Sequence, residues 1–404
     1  MRSANGFFNS LRQAIPGAIW AIGISSLLAN MSTSVVFACS ALYLKTIIGV
    51  EIITIGYLEA IVEAIAYGIR IFSGVLSDYF RKRKAFMVIG FIFIAISKPL
   101  IAFSRSFNEV LLARALDRIG NGVQATPREA LISDLSKKEH KGSCFGLRQS
   151  LAVVGSTLGG LFGIVVMKLS NYDFRLLFML ASIPAMMATL ILIVFVHDKK
   201  RDKTEEKKLS HRKFKAQDMR LLGTKFWLLM LIVILTMGSR FSEIFITLHA
   251  CSNFGLDIAY GTLITLIYNL LTFFVSYPMG KLSDRINRIR VLFIGIFSLL
   301  SAHLTLGFAN NLGIVFMGTV FWGIQRGITD SMFAVLVSDY VPKDLRGTGF
   351  GVYYLVVSAS TASACAFAGA VSQAKGEHMA FLSGAAVCSL AACLLFICKK
   401  RLIA

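Results

Sequence analysis

Long runs of apolar residues, separated by short polar segments, make up most of the chain. A helix needs about 20 mostly apolar residues to cross the hydrocarbon core of a bilayer, and twelve runs reach that length. The pattern therefore predicts an all-α membrane protein with twelve transmembrane helices, called spans 1 to 12. The spans lie near residues 15–44, 53–76, 85–104, 107–131, 143–168, 174–197, 223–249, 256–282, 290–309, 312–338, 348–372 and 378–398.

One polar segment is much longer than the others. Residues 198–222 are rich in lysine, arginine, aspartate and glutamate, which is typical of a solvated linker. This segment divides the chain into two predicted six-helix bundles, over 1–197 and 223–404, and is itself predicted to be cytoplasmic. The apolar run after Pro16 ends without a convincing small-residue cleavage site, so it is interpreted as a retained first span and not as a cleaved signal.

The composition agrees with a bilayer environment. Hydrophobic residues make up 56% and charged residues 16% of the 404 residues, whereas soluble domains average about 25% charged residues. The seven cysteines stand singly, without CxxC pairs or a histidine-rich neighbourhood. This spacing argues against a disulfide framework, a zinc site or an iron–sulfur cluster, so no metal and no cofactor is expected.

The chain is strongly basic, since 42 Lys and Arg against 22 Asp and Glu give a formal net charge of +20. In a soluble protein this excess would suggest nucleic-acid binding. If both termini lie on one side, however, the segments on that side carry 28 Lys and Arg and the opposite connections carry five. The positive-inside rule then places both termini in the cytoplasm. Topology in a plasma membrane, the inner membrane of a bacterium, thus explains the charge without nucleic acid.

The two halves of the chain repeat each other. A shift of about 206 residues places GVLSD, which runs from Gly74 to Asp78, on GKLSD, which runs from Gly280 to Asp284. A shift of 205 matches four further positions, which are Gly122, Asp134, Gly142 and Gly146 with Gly327, Asp339, Gly347 and Gly351. Six spans repeated in the same orientation are the architecture of a parallel-repeat transporter.

The loop after span 2, GVLSDYFRKRK, resembles the signature loop of the major facilitator superfamily, and GKLSDRINRIR after span 8 resembles a second copy. The resemblance covers the whole chain and implies two pseudo-symmetric six-helix bundles. The family usually has a glycine three residues after the aspartate, where this chain has Arg81 and Asn287. Because Asn tolerates a left-handed backbone better than Arg, the second loop is expected to keep the tight turn and the first to turn differently.

Each signature loop is interpreted as a conformational latch. Its aspartate stands at a helix end beside a basic cluster, so it can pair with cations or cap the N-terminus of a neighbouring helix. Contacts that form in one state and break in another bias a two-state equilibrium. The alternative is that the basic residues only anchor the span at the membrane surface. The predicted latch residues are Gly74, Asp78, Arg81, Gly280, Asp284 and Arg285.

Several charged residues fall at membrane depth, where one charge at a helix centre costs about 2.5–3.5 kcal/mol. Glu59 and Glu63 share one stripe of span 2, and Arg114, Arg118 and Asn121 share one stripe of span 4. Glu63 and Arg118 are expected to interact and to face a cavity between the halves. The segment RIGNG at Arg118 is similar to a span-4 pattern that the family associates with proton or substrate coupling, with Arg114 as an alternative register. Glu63 is predicted to carry a coupling proton; the alternative is a permanent structural ion pair.

The second half contributes its own polar residues at membrane depth. Arg326 and Asp330 are four residues apart and can pair within one helix. For His303 a packing hydrogen bond is favoured over a proton relay. The predicted substrate and coupling cavity consists of Asn30, Glu59, Glu63, Arg114, Arg118, Asn121, Arg240, Asn269 and Arg326.

The sequence contains no Walker A loop and no nucleophile–base constellation, so neither ATP drive nor enzyme activity is expected. Deep arginines outnumber deep carboxylates, which favours a small polar, anionic metabolite as the substrate. The predicted function is secondary active transport of this metabolite by alternating access, coupled to protons, by a monomer in the lipid bilayer. An efflux antiporter for amphipathic compounds is the alternative, which the 32 Phe favour. A membrane enzyme and a transporter-like receptor are the further classes considered.

Overall fold

A computed structural model describes residues 15–198, 221–256 and 261–403. Within these ranges the chain is helical and contains no β-strand, which confirms the all-α class predicted from the apolar runs. The predicted linker falls almost entirely outside the described residues. Its boundaries, and those of the two predicted bundles, therefore stay predictions.

The described residues form thirteen α-helices, since one predicted span is divided into two. The helices are α1 (Gly17–Tyr43), α2 (Ile52–Phe80), α3 (Arg83–Phe103), α4 (Phe107–Leu135), α5 (Lys141–Leu169), α6 (Phe174–Phe195), α7 (Gly223–Ser239), α8 (Ile244–Phe254), α9 (Gly261–Ser283), α10 (Arg288–Gly307), α11 (Leu312–Tyr340), α12 (Arg346–Lys375) and α13 (Glu377–Ile403). A short π-helical segment, Leu44–Ile48, continues α1.

Nine helical segments of the described ranges are long and apolar enough to cross a membrane, with α7 and α8 counted together. Helices α4, α9 and α11 are 29, 23 and 29 residues long, so they match these nine segments in length. Helix α4 carries charged side chains along most of its length, from Glu109 to Asp134, and is the most polar of the three.

Several helices have a polar side chain at their N-cap position. Ser106 accepts a hydrogen bond from the Glu109 N–H at the start of α4, at 3.4 Å. Asp173 accepts from the N–H groups of Arg175 and Leu176 at 2.8 and 3.1 Å, at the start of α6. These side chains satisfy N–H groups that have no partner within the helix, so a helix can begin directly after a short connection.

Span 7 is divided in the structure. The predicted span over 223–249 corresponds to one membrane-crossing segment, Gly223–Phe254, but this segment is not one continuous helix, because α7 ends at Ser239 and α8 begins at Ile244. Nε2 of His303 donates a hydrogen bond to the carbonyl oxygen of Ser239 at 3.0 Å, and Arg240 leaves the helical conformation with φ −90° and ψ 93°. The carbonyl at the break thus has a partner, as buried backbone in a membrane requires. The packing role expected for His303 is confirmed.

Contacts divide the chain into two compact units. Unit 1 comprises residues 15–138, 151–198, 221 and 342–352, and unit 2 comprises 139–150, 222–256, 261–341 and 353–403. In unit 1, α4 packs against α2 and α3, while α6 packs against α1 and α3. In unit 2, α11 packs against α9 and α10, while α13 packs against α7 and α10. The same order of neighbours in both units agrees with the sequence repeat.

An aromatic cluster surrounds the break of span 7 in unit 2. The ring centroid of Phe241 lies 5.3 Å from that of Phe381 and 5.6 Å from that of Trp322. His303 lies 5.1 Å from Trp322 in an edge-to-face arrangement. All four side chains are buried, so the cluster holds the break of span 7 by packing as well as by the hydrogen bond of His303.

We predict that His303→Ala lowers the melting temperature of the purified protein. The substitution leaves a cavity and an unpaired carbonyl at Ser239, a loss of about 2 kcal/mol or more. Thermal unfolding in detergent measures the effect, and Thr305→Ala on the same helix is the control because its hydroxyl bonds only within α10. An unchanged melting temperature in His303→Ala would show that the break of span 7 does not depend on this ring.

Candidate functional site

The first signature loop of unit 1 caps a helix. The carboxylate of Asp78, near the end of α2, accepts from the N–H groups of Gly347 and Thr348 at 3.0 and 2.7 Å. It also accepts from Oγ1 of Thr348 at 3.1 Å. These N–H groups belong to the first turn of α12, whose dipole favours a negative charge. The helix-capping role considered for Asp78 is therefore realised.

The second signature loop makes the same arrangement in unit 2. The carboxylate of Asp284 accepts from the N–H groups of Gly142 and Ser143 at 2.7 and 2.8 Å, and from Oγ of Ser143 at 2.6 Å. These groups stand in the first turn of α5. The repeat found in the sequence is thus also a repeat of hydrogen bonds, with one carboxylate on one helix N-terminus in each unit.

Close backbone approach explains the glycines of both loops. A Cβ atom on Gly347 would lie 2.7 Å from Oγ of Ser77, and one on Gly142 would lie 2.9 Å from Oδ1 of Asp284. A Cβ on Gly74 or on Gly280 would collide with the backbone of the facing glycine. Any side chain at these positions would push the helix N-terminus away from the carboxylate that caps it.

Two cations and a second aspartate complete each latch. In unit 1, Arg83 pairs with Asp78 at 3.2 Å and also with Asp134, which Arg346 contacts at 2.5 Å. Arg83 further donates to the carbonyl of Ala130 at 2.8 Å. Two aspartates and two arginines thus neutralise one another at this end of unit 1.

Unit 2 has a corresponding set of four. Arg288 pairs with Asp339 and lies 3.9 Å from Asp284, while Lys141 contacts Asp339 at 3.1 Å. The sequence repeat relates each of these residues to a member of the unit 1 set. The match of Asp134 with Asp339 indicated this second aspartate, but its partners could not be assigned without the fold.

Arg81 and Arg285 form no ion pair within the described residues, where Arg83 and Arg288 contact the aspartates of the signature loops. A latch role for Arg81 and Arg285 stays a prediction. Arg81 instead closes α2 in the left-handed conformation, with φ 56° and ψ 22°. Asn287 has φ −60° and caps α10 by accepting from the Ile289 N–H at 2.9 Å. The expectation for the two turns was therefore wrong, because the Asn side chain is used as a helix cap.

A balanced charge cluster lies within unit 1. Glu59 pairs with Arg114, and Glu63 pairs with Arg118 at 3.1 Å, so the predicted contact between Glu63 and Arg118 is present. Arg118 also lies 3.2 Å from Asp117. The side chain of Glu63 is 35% exposed and that of Glu59 is 28% exposed, whereas that of Arg114 is fully buried. Three acids and three bases meet here once Lys98 is counted.

Lys98 is the residue that sequence reasoning missed. It pairs with Asp117, and both side chains are 0% exposed. Ser97 also donates to Asp117 at 3.3 Å. Lys98 is the only charged residue in the apolar interior of span 3, and that isolation was a usable signal, since an unpaired charge at this depth is very unfavourable.

A second cluster lies in unit 2 around one carboxylate. Asp330 accepts from Arg240 at 2.7 Å and from Arg326 at 3.4 Å, the latter being the pair expected within α11. Gln149 donates to the same carboxylate at 3.3 Å. Arg326 also contacts the hydroxyl of Tyr268 and lies 4.8 Å from the centre of its ring. Arg240 reaches Asp330 because the break in span 7 frees it from the helix.

The remaining predicted cavity residues take no part in these clusters. Asn30 donates to the carbonyl of Ser26 in its own helix at 2.7 Å. Asn121 accepts from Gln124 at 3.3 Å, and Asn269 is partly buried on α9. Their assignment to a substrate cavity stays a prediction.

Helices of membrane-crossing length, a helix packing that repeats in both units and ion pairs between helices inside each unit are features of a membrane transporter. The sequence model of the Major Facilitator Superfamily matches residues 22–362 and 229–402. The chain belongs to this superfamily and is a multi-pass membrane protein with its twelve-helix fold.

Individual proteins show the same relationship. An uncharacterised MFS-type transporter of Methanocaldococcus jannaschii is 27% identical over 384 residues, which cover 93% of this chain and 94% of the relative. The human organic anion transporter TETRAN has a TM-score of 0.74 at 15% identity, covering 94% of this chain and 98% of its own. The fucose:proton symporter of E. coli has a TM-score of 0.73 at 13% identity, with the same coverage. At these identities the two structures show the fold alone.

We predict that Asp78→Asn loosens the first turn of α12. The neutral amide loses the charge that pairs with Arg83 and can accept fewer of the three hydrogen bonds, a loss of about 1–3 kcal/mol. In a Ser77→Cys background, thiol labelling of this buried position should become faster. Asp284→Asn should have a smaller effect on unit 2, since Arg288 stands farther from its carboxylate.

Glu139→Gln is the matched control for the latch, because it removes one exposed negative charge in the short helical turn before α5. Labelling of position 77 should not change in this variant. If Asp78→Asn also leaves labelling and melting temperature unchanged, the loop acts only as a membrane anchor.

Proposed function

We propose that this protein is a secondary active transporter that moves a small organic anion by alternating access, with protons as the coupling ion. The single observation that carries the anion is the pairing of two arginines with one acid in the unit 2 cluster. Arg240 and Arg326 share one carboxylate, that of Asp330.

This sharing favours an anionic ligand. Among the described residues, both Arg240 and Arg326 form their ion pair with Asp330. Buried positive charge without a counter-ion is unfavourable at membrane depth. A guanidinium binds a carboxylate or phosphate through two parallel N–H groups, so Arg240 and Arg326 have the chemistry to hold such a group on a substrate.

The geometry also suggests how the ligand is admitted. A substrate carboxylate would compete with Asp330 for Arg240 and Arg326. Asp330 would keep the hydrogen bond from Gln149, and Arg326 would keep the contact with the Tyr268 hydroxyl. Binding therefore exchanges one carboxylate for another and leaves no guanidinium without a partner.

The unit 1 cluster is the proposed site of the proton. Glu63 is its most exposed carboxylate and pairs with Arg118. Proton uptake by Glu63 would remove that ion pair and change a balanced cluster into one with an excess positive charge. A fucose:proton symporter and an organic anion transporter have this same fold, so the fold is compatible with both parts of the proposal.

The proposed setting is a bacterial inner membrane with both termini in the cytoplasm, where the basic segments favour that orientation. The protein works as a monomer and needs no cofactor. The latch contacts of Asp78 and Asp284 form in one state and break in another, and substrate and proton occupancy change the balance between these states.

We predict that small organic anions raise the melting temperature of the purified protein. A ligand at 100 times its dissociation constant stabilises the folded state by about 2.7 kcal/mol. A screen should include organic acids, nucleotides, amino acids, neutral sugars and amphipathic drugs. Arg240→Gln should abolish the stabilisation, whereas Arg290→Gln, an exposed arginine of α10, should retain it. Stabilisation by amphipathic drugs alone would favour the efflux function instead.

We predict that Glu63→Gln separates exchange from accumulation. In proteoliposomes, counterflow of the anion identified by the screen should persist, because exchange needs no net proton movement. Accumulation driven by a pH gradient should be lost. Glu139→Gln should retain both activities. Loss of both activities together with a lower melting temperature would favour a structural ion pair, and retention of both would remove Glu63 from the mechanism.

A further inference from the structure

The buried pair of Lys98 and Asp117 joins α3 to α4 where the two helices are in close contact. A Cβ on Gly120 would lie 3.0 Å from the backbone nitrogen of Ile94, so the helices leave little space between them. Neither side chain of the pair is exposed. Asp117 contacts two cations, Lys98 on one side and Arg118 at 3.2 Å on the other.

The sequence repeat supplies an internal comparison for this pair. The shift of 205 residues places α3 on α10 and α4 on α11, as the latch cations Arg83 and Arg288 show. The glycine contacts agree, because a Cβ on Gly90 would meet Gln124, whereas one on Gly295 would meet Thr329, its counterpart.

In this register Lys98 corresponds to His303 and Asp117 corresponds to Trp322. These two residues are also in contact and fully buried, with ring centroids 5.1 Å apart. The same crossing is therefore made by an ion pair in unit 1 and by two rings in unit 2. Since unit 2 packs without charges at this point, the helix crossing itself does not require the ion pair. Buried ion pairs can often be replaced by apolar residues without loss of stability. Helix packing alone therefore does not explain why unit 1 has charged residues at this crossing.

The two units also differ in charge at the position of Arg118. The residue at its repeat position in unit 2 is Gly323, which carries no charge. In unit 1, Arg118 stands between Asp117, which is inaccessible, and Glu63, which is 35% exposed. Lys98, Asp117, Arg118 and Glu63 thus form a row of alternating charge that runs from the buried helix crossing to a partly exposed carboxylate.

We propose that Lys98 and Asp117 are positioning residues that hold Arg118 in place while Glu63 gains and loses its proton. The proposal rests on the proton coupling proposed for Glu63. Lys98 pairs with Asp117, and Asp117 gives Arg118 a second carboxylate besides Glu63. When Glu63 is protonated, Arg118 therefore keeps one carboxylate and its charge is not left isolated.

The row of charges has a definite effect on protonation. Among the described residues, the charged and titratable groups around Arg118 include Glu59, Glu63, Tyr67, Lys98, Arg114 and Asp117, from helices α2, α3 and α4. Removal of the Lys98 charge alone makes this group more negative, so Glu63 should take up its proton at higher pH. When both Lys98 and Asp117 are removed, Glu63 no longer shares Arg118 with a second carboxylate. Glu63 should then stay ionised to lower pH.

Infrared spectroscopy of the full chain in lipid vesicles tests the proposal without a substrate. The probe is the carbonyl band of a protonated carboxyl group, followed over a pH titration and assigned to Glu63 by its loss in Glu63→Gln. In Lys98→Met the midpoint should rise by about one pH unit, and in Lys98→Met/Asp117→Leu it should fall. The double variant should melt near the wild-type temperature. His303→Phe, at the matching position of unit 2, should leave the midpoint unchanged.

Three results would overturn the proposal. If the Glu63 band titrates with the wild-type midpoint in both variants, the pair does not act on Glu63, although proton coupling by Glu63 could still hold. If the double variant does not fold, the pair is a requirement of unit 1 packing. If no Glu63 band titrates in the wild type, the proton coupling itself fails and this inference fails with it.

Discussion

Neutralisation of charge away from water is the constraint on which the rest of this structure depends. A carboxylate in a membrane span needs either a cation or the N–H groups of a helix start. Asp78 and Asp284 use both, since each caps a helix and stands beside an arginine. The glycines at these crossings exist because that neutralisation requires the helix N-terminus to approach the carboxylate closely.

Much of the fold follows from the sequence, because a helix in a bilayer must satisfy its own backbone groups and be apolar enough to remain there. The spans, the repeat and the contact between Glu63 and Arg118 were predictable on that basis. The break after Ser239 was not, because it depends on His303 and Asp330, which are distant in sequence. The sequence also did not predict that Arg83, and not Arg81, pairs with Asp78. That choice depends on the conformation of the turn after α2.

The two units have the same helix packing but different buried side chains at matching positions. Glycines at matching positions, such as Gly122 and Gly327, hold the same helices close together in both units. At the same crossing of helices, however, unit 1 has a salt bridge and unit 2 has two rings packed edge to face. Packing therefore tolerates either solution, and the distribution of charge is free to differ. In unit 1, Arg118 contacts two carboxylates, those of Glu63 and Asp117, whereas in unit 2 two arginines share the carboxylate of Asp330.

This difference in charge between the two clusters agrees with the proposed transport of a proton and an organic anion. A balanced cluster with a partly exposed carboxylate suits the uptake of one proton, and a cluster in which two arginines share one carboxylate suits the uptake of one anion. A proton and a monovalent anion carried together have no net charge. The membrane potential acts with about 2.3 kcal/mol per elementary charge for each 100 mV, so a combined load without net charge meets no electrical opposition. A proton gradient alone could then drive the anion inward, and ATP would not be needed.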